Sequence, residues 1–374
     1  MLRFGTVSYN IYANFTNYGS ALQTWALHQA INLIGKDKWQ AVLVDYCPDV
    51  LKDKNPLMPF GNLWDKDEES RRMCELSLPA IQVNYKKFQE FYKTRFIRTE
   101  RKYTAKNFND IVANESINGF VCGSDTIFCI DEFGFDDGYY ANYSCMKNGY
   151  AVAYAGSFGD SHFKENDYKI LNQRIKNFKA VGLREQEMIP YVEKQIDVPV
   201  QRVLDPTLLL PTKTYDEKLT VPRIIKEKYI LYYSRRYNPQ MEKYVEKIAQ
   251  EHHWEIVEIS LRAVNAMKHK MFYEAGVEEF LSLIKYAEFV VTNSYHGMIF
   301  SIQYKRPFAI FSREQCDTKN RELLQILNLS DRLNAYNKDL AEVPVDYDNV
   351  YSIIETEREN SLRFLKRELE GYTK

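Results

Sequence analysis

Short, almost wholly apolar runs alternate along this chain with segments whose apolar residues fall at helical spacing. Runs at 4–9, 41–46, 119–122, 150–154, 180–183 and 200–204 predict six strands, and runs at 229–233, 255–259, 289–292 and 307–311 predict four more. After the first run comes a polar loop over 10–19. Ser20 then reads as the cap of a helix in which Leu22, Trp25, Ala26, Ala30 and Leu33 lie near the 3.6-residue period, with Gly35 to stop it. Further helical patterns cover 167–177 and 185–194, and residues 350–370 form a terminal amphipathic helix. Strand and helix in alternation predict an α/β fold with largely parallel sheets.

The pattern is interrupted twice. Residues 48–110 hold Pro56, Pro59 and Pro79 and an amphipathic stretch around 83–92, and read as an insertion with helices. Residues 211–228 carry Pro222 and many charges without apolar periodicity, which makes them the best linker. The expected organisation is therefore an α/β unit over 1–215 containing the insertion, a second over 216–345, and a helix over 346–374 that packs back on the first.

Composition narrows the class. With 374 residues, 45% hydrophobic and 27% charged, and 50 basic against 51 acidic side chains, the chain is an ordinary globular protein without a general attraction to nucleic acid or acidic lipid. No run of about 18 apolar residues is present, and Met1 to Tyr9 runs into a strand without a signal-peptide layout. The expected location is the cytoplasm, with peripheral association with the inner membrane face left open, as is homo-oligomerisation. Cys47, Cys74, Cys122, Cys129, Cys145 and Cys316 are scattered and form no metal or disulfide framework. They read as small buried hydrophobes. The 28 Tyr and 21 Phe suit a sugar-binding cleft and an aromatic core equally well.

The segment 289–311 reads as strand, tight polar turn, helix and strand. Ser294, Tyr295 and His296 then sit where a strand ends and a helix begins, the edge at which open α/β sheets bind ligands and helix N–H groups favour anions. A histidine there can transfer a proton near neutral pH; a structural hydrogen bond is the competing role. Asn17, Tyr18, Gly19 and Ser20 occupy the equivalent place after the first strand, with a capped turn as the alternative. Asp125, in Gly123-Ser124-Asp125, follows the third and could orient or deprotonate a sugar hydroxyl, although a lone carboxylate in a turn is more often a cap. Arg184 follows the fifth run, where its planar fork suits a carboxylate or phosphate; an Arg-Glu pair at a helix start can equally be structural. Asp205-Pro206-Thr207 reads as a turn with Asp205 accepting backbone hydrogen bonds. Arg321 is a further anion contact or a surface ion pair, and His252 with His253 reads as exposed.

Seven segments carry a family resemblance, in order from about residue 5 to 332. They are Asn17-Tyr-Gly-Ser-Ala-Leu-Gln-Thr-Trp-Ala-Leu, Gly123-Ser-Asp, Tyr154-Ala-Gly-Ser-Phe-Gly, Leu183-Arg-Glu, Val203-Leu-Asp-Pro-Thr-Leu-Leu, Ser294-Tyr-His-Gly with Phe300-Ser-Ile and Arg306-Pro-Phe, and Asn320-Arg-Glu-Leu-Leu-Gln-Ile-Leu. Together they resemble the polysaccharide pyruvyl transferase family. The resemblance implies two Rossmann-like domains facing across a cleft, of the glycosyltransferase-B type, the first on the acceptor side and the second on the donor side. It implies transfer of the enolpyruvyl carbons of phosphoenolpyruvate to a nucleotide- or lipid-linked sugar of a surface-polysaccharide precursor, as a ketal, with no metal or cofactor. His296 becomes the expected general acid. Arg184, Ser294, Gly297 and Arg321 become donor contacts, and Asn17, Tyr18, Ser124 and Asp125 acceptor contacts. After Gly123-Ser-Asp the family continues with Gln and an aromatic-Asn pair, whereas Thr126, Ile127, Phe128 and Cys129 follow here; this bears on the acceptor. The rivals are a nucleotide-sugar glycosyltransferase and a noncatalytic carbohydrate-binding or assembly protein.

Overall fold

The computed structural model describes residues 1–59, 67–219, 221–313 and 317–373. Strands β1 (Leu2–Val7), β2 (Trp39–Leu43), β3 (Gly119–Cys122), β4 (Ala151–Gly156), β5 (Ala180–Leu183) and β6 (Val200–Arg202) form one sheet, in the order β2-β1-β3-β4-β5-β6. Strands β7 (Tyr229–Tyr233), β8 (Glu255–Ile259), β9 (Lys270–Met271), β10 (Phe289–Thr292) and β11 (Phe308–Ile310) form the other, in the order β11-β10-β7-β8-β9. Every pairing between these strands is parallel. β3, β4, β5, β7 and β10 are buried along their whole length. Helices cover both faces of such a sheet, which is why these strands read as unbroken apolar runs.

Each sheet has one place where the strand order reverses. It lies between β1 and β3 in the first sheet and between β7 and β10 in the second. Parallel sheets open a crevice outside the carboxyl ends of their strands at such a switch point. The loops after β1, β3, β7 and β10 are therefore the ones placed to build a site.

The helix after β1 spans Tyr18–Gly35 and is capped by Asn17, whose side chain accepts from the backbone N–H groups of Gly19 and Ser20. The expected cap, Ser20, lies inside it: Asn17 offers the same chemistry three residues earlier and starts the helix there. Leu22, Trp25, Ala26 and Ala30 are buried as their spacing predicts, whereas Leu33 is exposed. This helix packs against helices Val277–Lys285 and Tyr295–Gln303 of the second unit as well as its own sheet, so it is buried nearly all round. Tyr18 stacks on Phe280 with ring centroids 4.3 Å apart.

The expected linker contains a helix, Thr212–Leu219. Its charged sequence hides one apolar pair at i and i+4, Tyr215 and Leu219, both buried. Tyr215 packs between Trp25 and Phe300, at 5.4 and 5.1 Å, and ties the segment to both units. The region 48–110 holds helices Glu68–Leu76 and Leu78–Thr94. The terminal helix, Tyr347–Glu370, buries Val350, Ile354, Phe364, Leu365 and Leu369 and packs against helix Tyr18–Gly35 and β4. Its Ser361 Oγ accepts from the Leu204 N–H at 2.9 Å. Cys47, Cys74, Cys122 and Cys129 are buried free thiols, while Cys145 is half-buried; Cys316 lies outside the described residues. No described helix is long and apolar enough to cross a membrane.

Candidate active site

Ser294 caps the helix Tyr295–Gln303, its Oγ accepting from the Gly297 N–H at 3.3 Å. This fixes His296 in the helix's first turn, at the mouth between the two sheets. The His296 Nε2 lies 3.3 Å from Asp205 Oδ2. Asp205 is itself anchored, Oδ1 accepting from the Thr207 backbone N–H at 2.9 Å and from Thr207 Oγ1 at 2.6 Å. Its Oδ2 also receives Arg184 Nη2 at 2.8 Å. Arg184 is spent further on Ser124 Oγ and, through Nε, on the Ala155 carbonyl at 3.0 Å. Burial alone would raise the Asp205 pKa, but the Arg184 guanidinium, His296 and the Thr207 hydrogen bond outweigh it and hold the carboxyl well below the usual range. An ionised carboxylate therefore stands behind the imidazole.

On its other side the ring meets Gly19. A Cβ built there would stand 2.0 Å from His296 Nδ1, so only glycine leaves space for the imidazole in this position.

His296 forms part of the wall of a cleft of about 300 Å³, with Asn17 after β1, Asp125 after β3, Arg235 after β7 and Ser294 after β10. These are the four loops at the two switch points. Arg313 and Lys319 add positive charge and Glu132 negative. Lys319 is buried, with its Nζ 5.4 Å from the centre of the Tyr295 ring, and among the described residues no carboxylate comes within ion-pair distance of it. Asp125 has a backbone φ of 75° and accepts from Ser20 Oγ at 2.6 Å. Burial works to raise its pKa, but Arg184, His296 and Lys319 outweigh this and lower it. Glu132, which accepts from Thr126 Oγ1 at 3.0 Å, is instead pushed up by burial. The cleft thus presents cations, an ionised carboxylate and a histidine, a combination suited to a small polyanion and to proton transfer.

The linked groups make stability depend on acid. A carboxyl whose pKa is depressed by folding contributes stability above its unfolded value of about 3.9, and loses it as pH falls towards the folded value. The urea midpoint of the protein should therefore drop steeply below about pH 4. Asp205→Asn should start lower at neutral pH and show a shallower acid limb; an unchanged limb would show that Asp205 is not a main contributor.

The structure gathers Asn17, Asp125, Ser294 and His296 at the cleft. Others of the expected contacts lie elsewhere, each for a visible reason. Arg184 sits beneath the cleft, committed to Asp205, and borders a side cavity of about 20 Å³. Ser124 is fully buried as a partner of Arg184. The Tyr18 hydroxyl donates to the Ala275 carbonyl at 2.8 Å, across the contact between the units. Gly297 packs on Thr292 and Tyr233, its N–H used by Ser294. Arg321 is exposed, since on helix Asp317–Ile326 it points away from the face that carries Lys319, Asn320, Leu323 and Leu324. His252 is half-buried rather than exposed, stacked on Trp254 and 2.6 Å from Asp339. Sequence reasoning missed Arg235, Lys319 and Glu132, and read Asp205 as a turn residue. For Lys319 a signal existed: it stands four residues before Leu323, on the inward face of that helix.

A search of the curated proteins finds no match to this sequence. Among solved structures, the S. aureus MnaA–UDP co-structure aligns over 95% of this chain and 87% of its own, with a TM-score of 0.51 and 12% identity. A protein from Listeria monocytogenes assigned as a UDP-N-acetylglucosamine 2-epimerase aligns over 97% and 90%, with a TM-score of 0.53 and 10% identity. The Candida albicans trehalose-6-phosphate phosphatase N-terminal domain aligns over 99% and 97%, at 0.51 and 9%. At these identities the likeness establishes the fold: two Rossmann-like domains facing across a cleft, of the glycosyltransferase-B type. The family model for polysaccharide pyruvyl transferase matches residues 17–315, beginning at the asparagine that caps the first helix. That span takes in Asp125, Arg184, Asp205 and His296, and this chain belongs to the polysaccharide pyruvyl transferase family.

Proposed function

We propose that this protein transfers the enolpyruvyl group of phosphoenolpyruvate to a sugar of a surface-polysaccharide precursor, forming a pyruvate ketal. The observation that carries this reading is His296 at the cleft wall, backed by an ionised Asp205 and facing the same space as Arg235 and Lys319. The cations suit the phosphate and carboxylate of the donor. In the reaction a protonated His296 gives its proton to the methylene carbon, and positive charge develops at the carbon bearing phosphate. A sugar hydroxyl attacks that carbon and gives up its proton to Asp125. Phosphate then leaves with the electron pair of its C–O bond, drawn by Arg235 and Lys319. A second hydroxyl of the same sugar adds to the same carbon, gives its proton to the now neutral His296 and closes the ring, while the proton taken up by Asp125 leaves with phosphate. The donor lies on the second-sheet wall, and the acceptor's sugar ring on the side of Asn17 and Asp125. Phosphoenolpyruvate is a cytoplasmic metabolite, which fits action in that compartment.

The test is to incubate the protein with phosphoenolpyruvate and a panel of nucleotide- and prenyl diphosphate-linked sugars, following phosphate release and product mass. One acceptor should gain a pyruvate less one water for each phosphate released. Unconsumed phosphoenolpyruvate across the panel would contradict the reading.

Gly19→Ala tests the fit around the imidazole. The new methyl must displace the ring from Asp205, and misplacement of about 1 Å costs on the order of 10²-fold in rate. Turnover should fall by about that factor with donor affinity little changed, as read by steady-state kinetics and calorimetric titration. Unchanged turnover would mean that the ring's position is not critical.

A further inference from the structure

A second pocket, of about 100 Å³, opens beside the reaction cleft at the carboxyl ends of β7 and β8. Phe15 and Arg235 belong to the walls of both cavities, so the two adjoin. The two differ in chemistry. The reaction cleft carries Asp125, Asp131 and Glu132, whereas among the described residues no carboxylate lines the second pocket. Its charged side chains are arginines alone, including Arg235 and Arg262. Its remaining walls are largely aromatic and aliphatic, with Phe15, Tyr237 and Tyr273 among them.

The arginines are presented on rings. The Arg235 guanidinium lies 4.3 Å from the centre of the Phe15 ring, and that of Arg262 lies 3.7 Å from the centre of the exposed Tyr237 ring. Arg262 meets only one carboxylate among the described residues, Glu69 at 3.5 Å, which is itself largely exposed. Guanidinium groups held flat in this way bind phosphate oxygens through paired N–H groups. The aromatic side chains suit a planar ring.

We propose that this pocket binds the nucleoside diphosphate of a nucleotide-linked acceptor sugar. The base lies among Phe15, Tyr237 and Tyr273, the diphosphate on Arg262, and the sugar enters the cleft beside His296, leaving Arg235 to the donor. This rests on the pyruvyl-transfer reading only for what happens to the sugar; the binding itself stands apart from it.

The test is calorimetric titration of the full chain, without phosphoenolpyruvate, using UDP, GDP and inorganic pyrophosphate as probes, with farnesyl diphosphate in a separate arm. At least one nucleoside diphosphate should bind more than about tenfold tighter than pyrophosphate. Arg262→Ala and Tyr237→Ala should each weaken it about tenfold or more. Tyr237 is exposed and Arg262 half-buried, and unchanged phosphoenolpyruvate binding and melting temperature would show that the variants are folded. Absence of nucleoside diphosphate binding, binding indifferent to both substitutions, or binding of farnesyl diphosphate alone would overturn the proposal, the last in favour of a prenyl carrier. A protein that binds a nucleoside diphosphate here but never consumes phosphoenolpyruvate would refute the pyruvyl-transfer reading instead.

Discussion

Replacing His296 by asparagine should lower the rate of pyruvyl transfer by on the order of 10² to 10⁴. Carbon is the difficult atom to protonate in this reaction, because the enol's methylene group is a feeble base and free protons are scarce at neutral pH. An acid fixed at the cleft wall therefore contributes in the transition state far more than in the ground state. Asparagine keeps a hydrogen-bonding side chain of similar reach but has no titrating proton to give. Donor affinity, set by Arg235 and Lys319, should change much less than turnover, so kcat falls while the dissociation constant measured by calorimetry stays within a few-fold. Equal turnover in the variant would remove His296 as the acid. Loss of donor binding alone would make it an anion ligand.

Arg184→Ala should produce the largest loss of stability of any single change near the site, about 3–5 kcal/mol. Asp205 is wholly buried, and its charge is tolerated there because Arg184 Nη2 stands 2.8 Å away. Without the guanidinium, a buried carboxylate is left to His296 and Thr207, and Ser124 Oγ loses the donor it accepts from while keeping its bond to the Ala155 carbonyl. The carboxyl would then take up a proton more readily and cease to back the imidazole, so turnover falls together with stability. Arg184→Lys retains the charge but not the fork that reaches Ser124, Ala155 and Asp205 at once, and should fall between the two. A double-mutant cycle with Asp205→Asn provides the check. Once Asp205 is neutral, removing Arg184 should cost much less, whereas additive losses would mean that the two side chains do not depend on each other.

Much of this arrangement is legible in the sequence because parallel strands are buried on both faces. Gly119–Cys122, Ala180–Leu183 and Phe289–Thr292 stand out as closed apolar runs, and the residues just after such runs must lie at the ligand-binding edge. That logic places Asn17, Asp125, Ser294 and His296 at the cleft. It fails where the outcome depends on side-chain direction. Arg184 also follows a strand, but its fork turns down onto Asp205, a choice made by contacts 21 residues apart in the chain. Lys319 and Arg321 are neighbours on one helix and face opposite ways, which the apolar positions Leu323 and Leu324 could have decided. Arg235 stands in a polar loop with two further charged or aromatic residues beside it, and nothing local distinguishes it. β9 has two residues and no pattern to detect. The helix Thr212–Leu219 is held by tertiary contacts of Tyr215 rather than by its own periodicity, so a charged stretch reads as a linker.

Carbon protonation followed by ketal formation is the central claim, and carrying out the reaction in D₂O tests it most directly. Phosphoenolpyruvate and the acceptor that reacts in the panel are mixed with the protein in D₂O, and the product is analysed by mass spectrometry and proton NMR. The account predicts a pyruvate ketal whose methyl group carries one deuterium, formed with one phosphate released per ketal. Phosphate released without a ketal, or a product that retains an undeuterated enol ether, would contradict it.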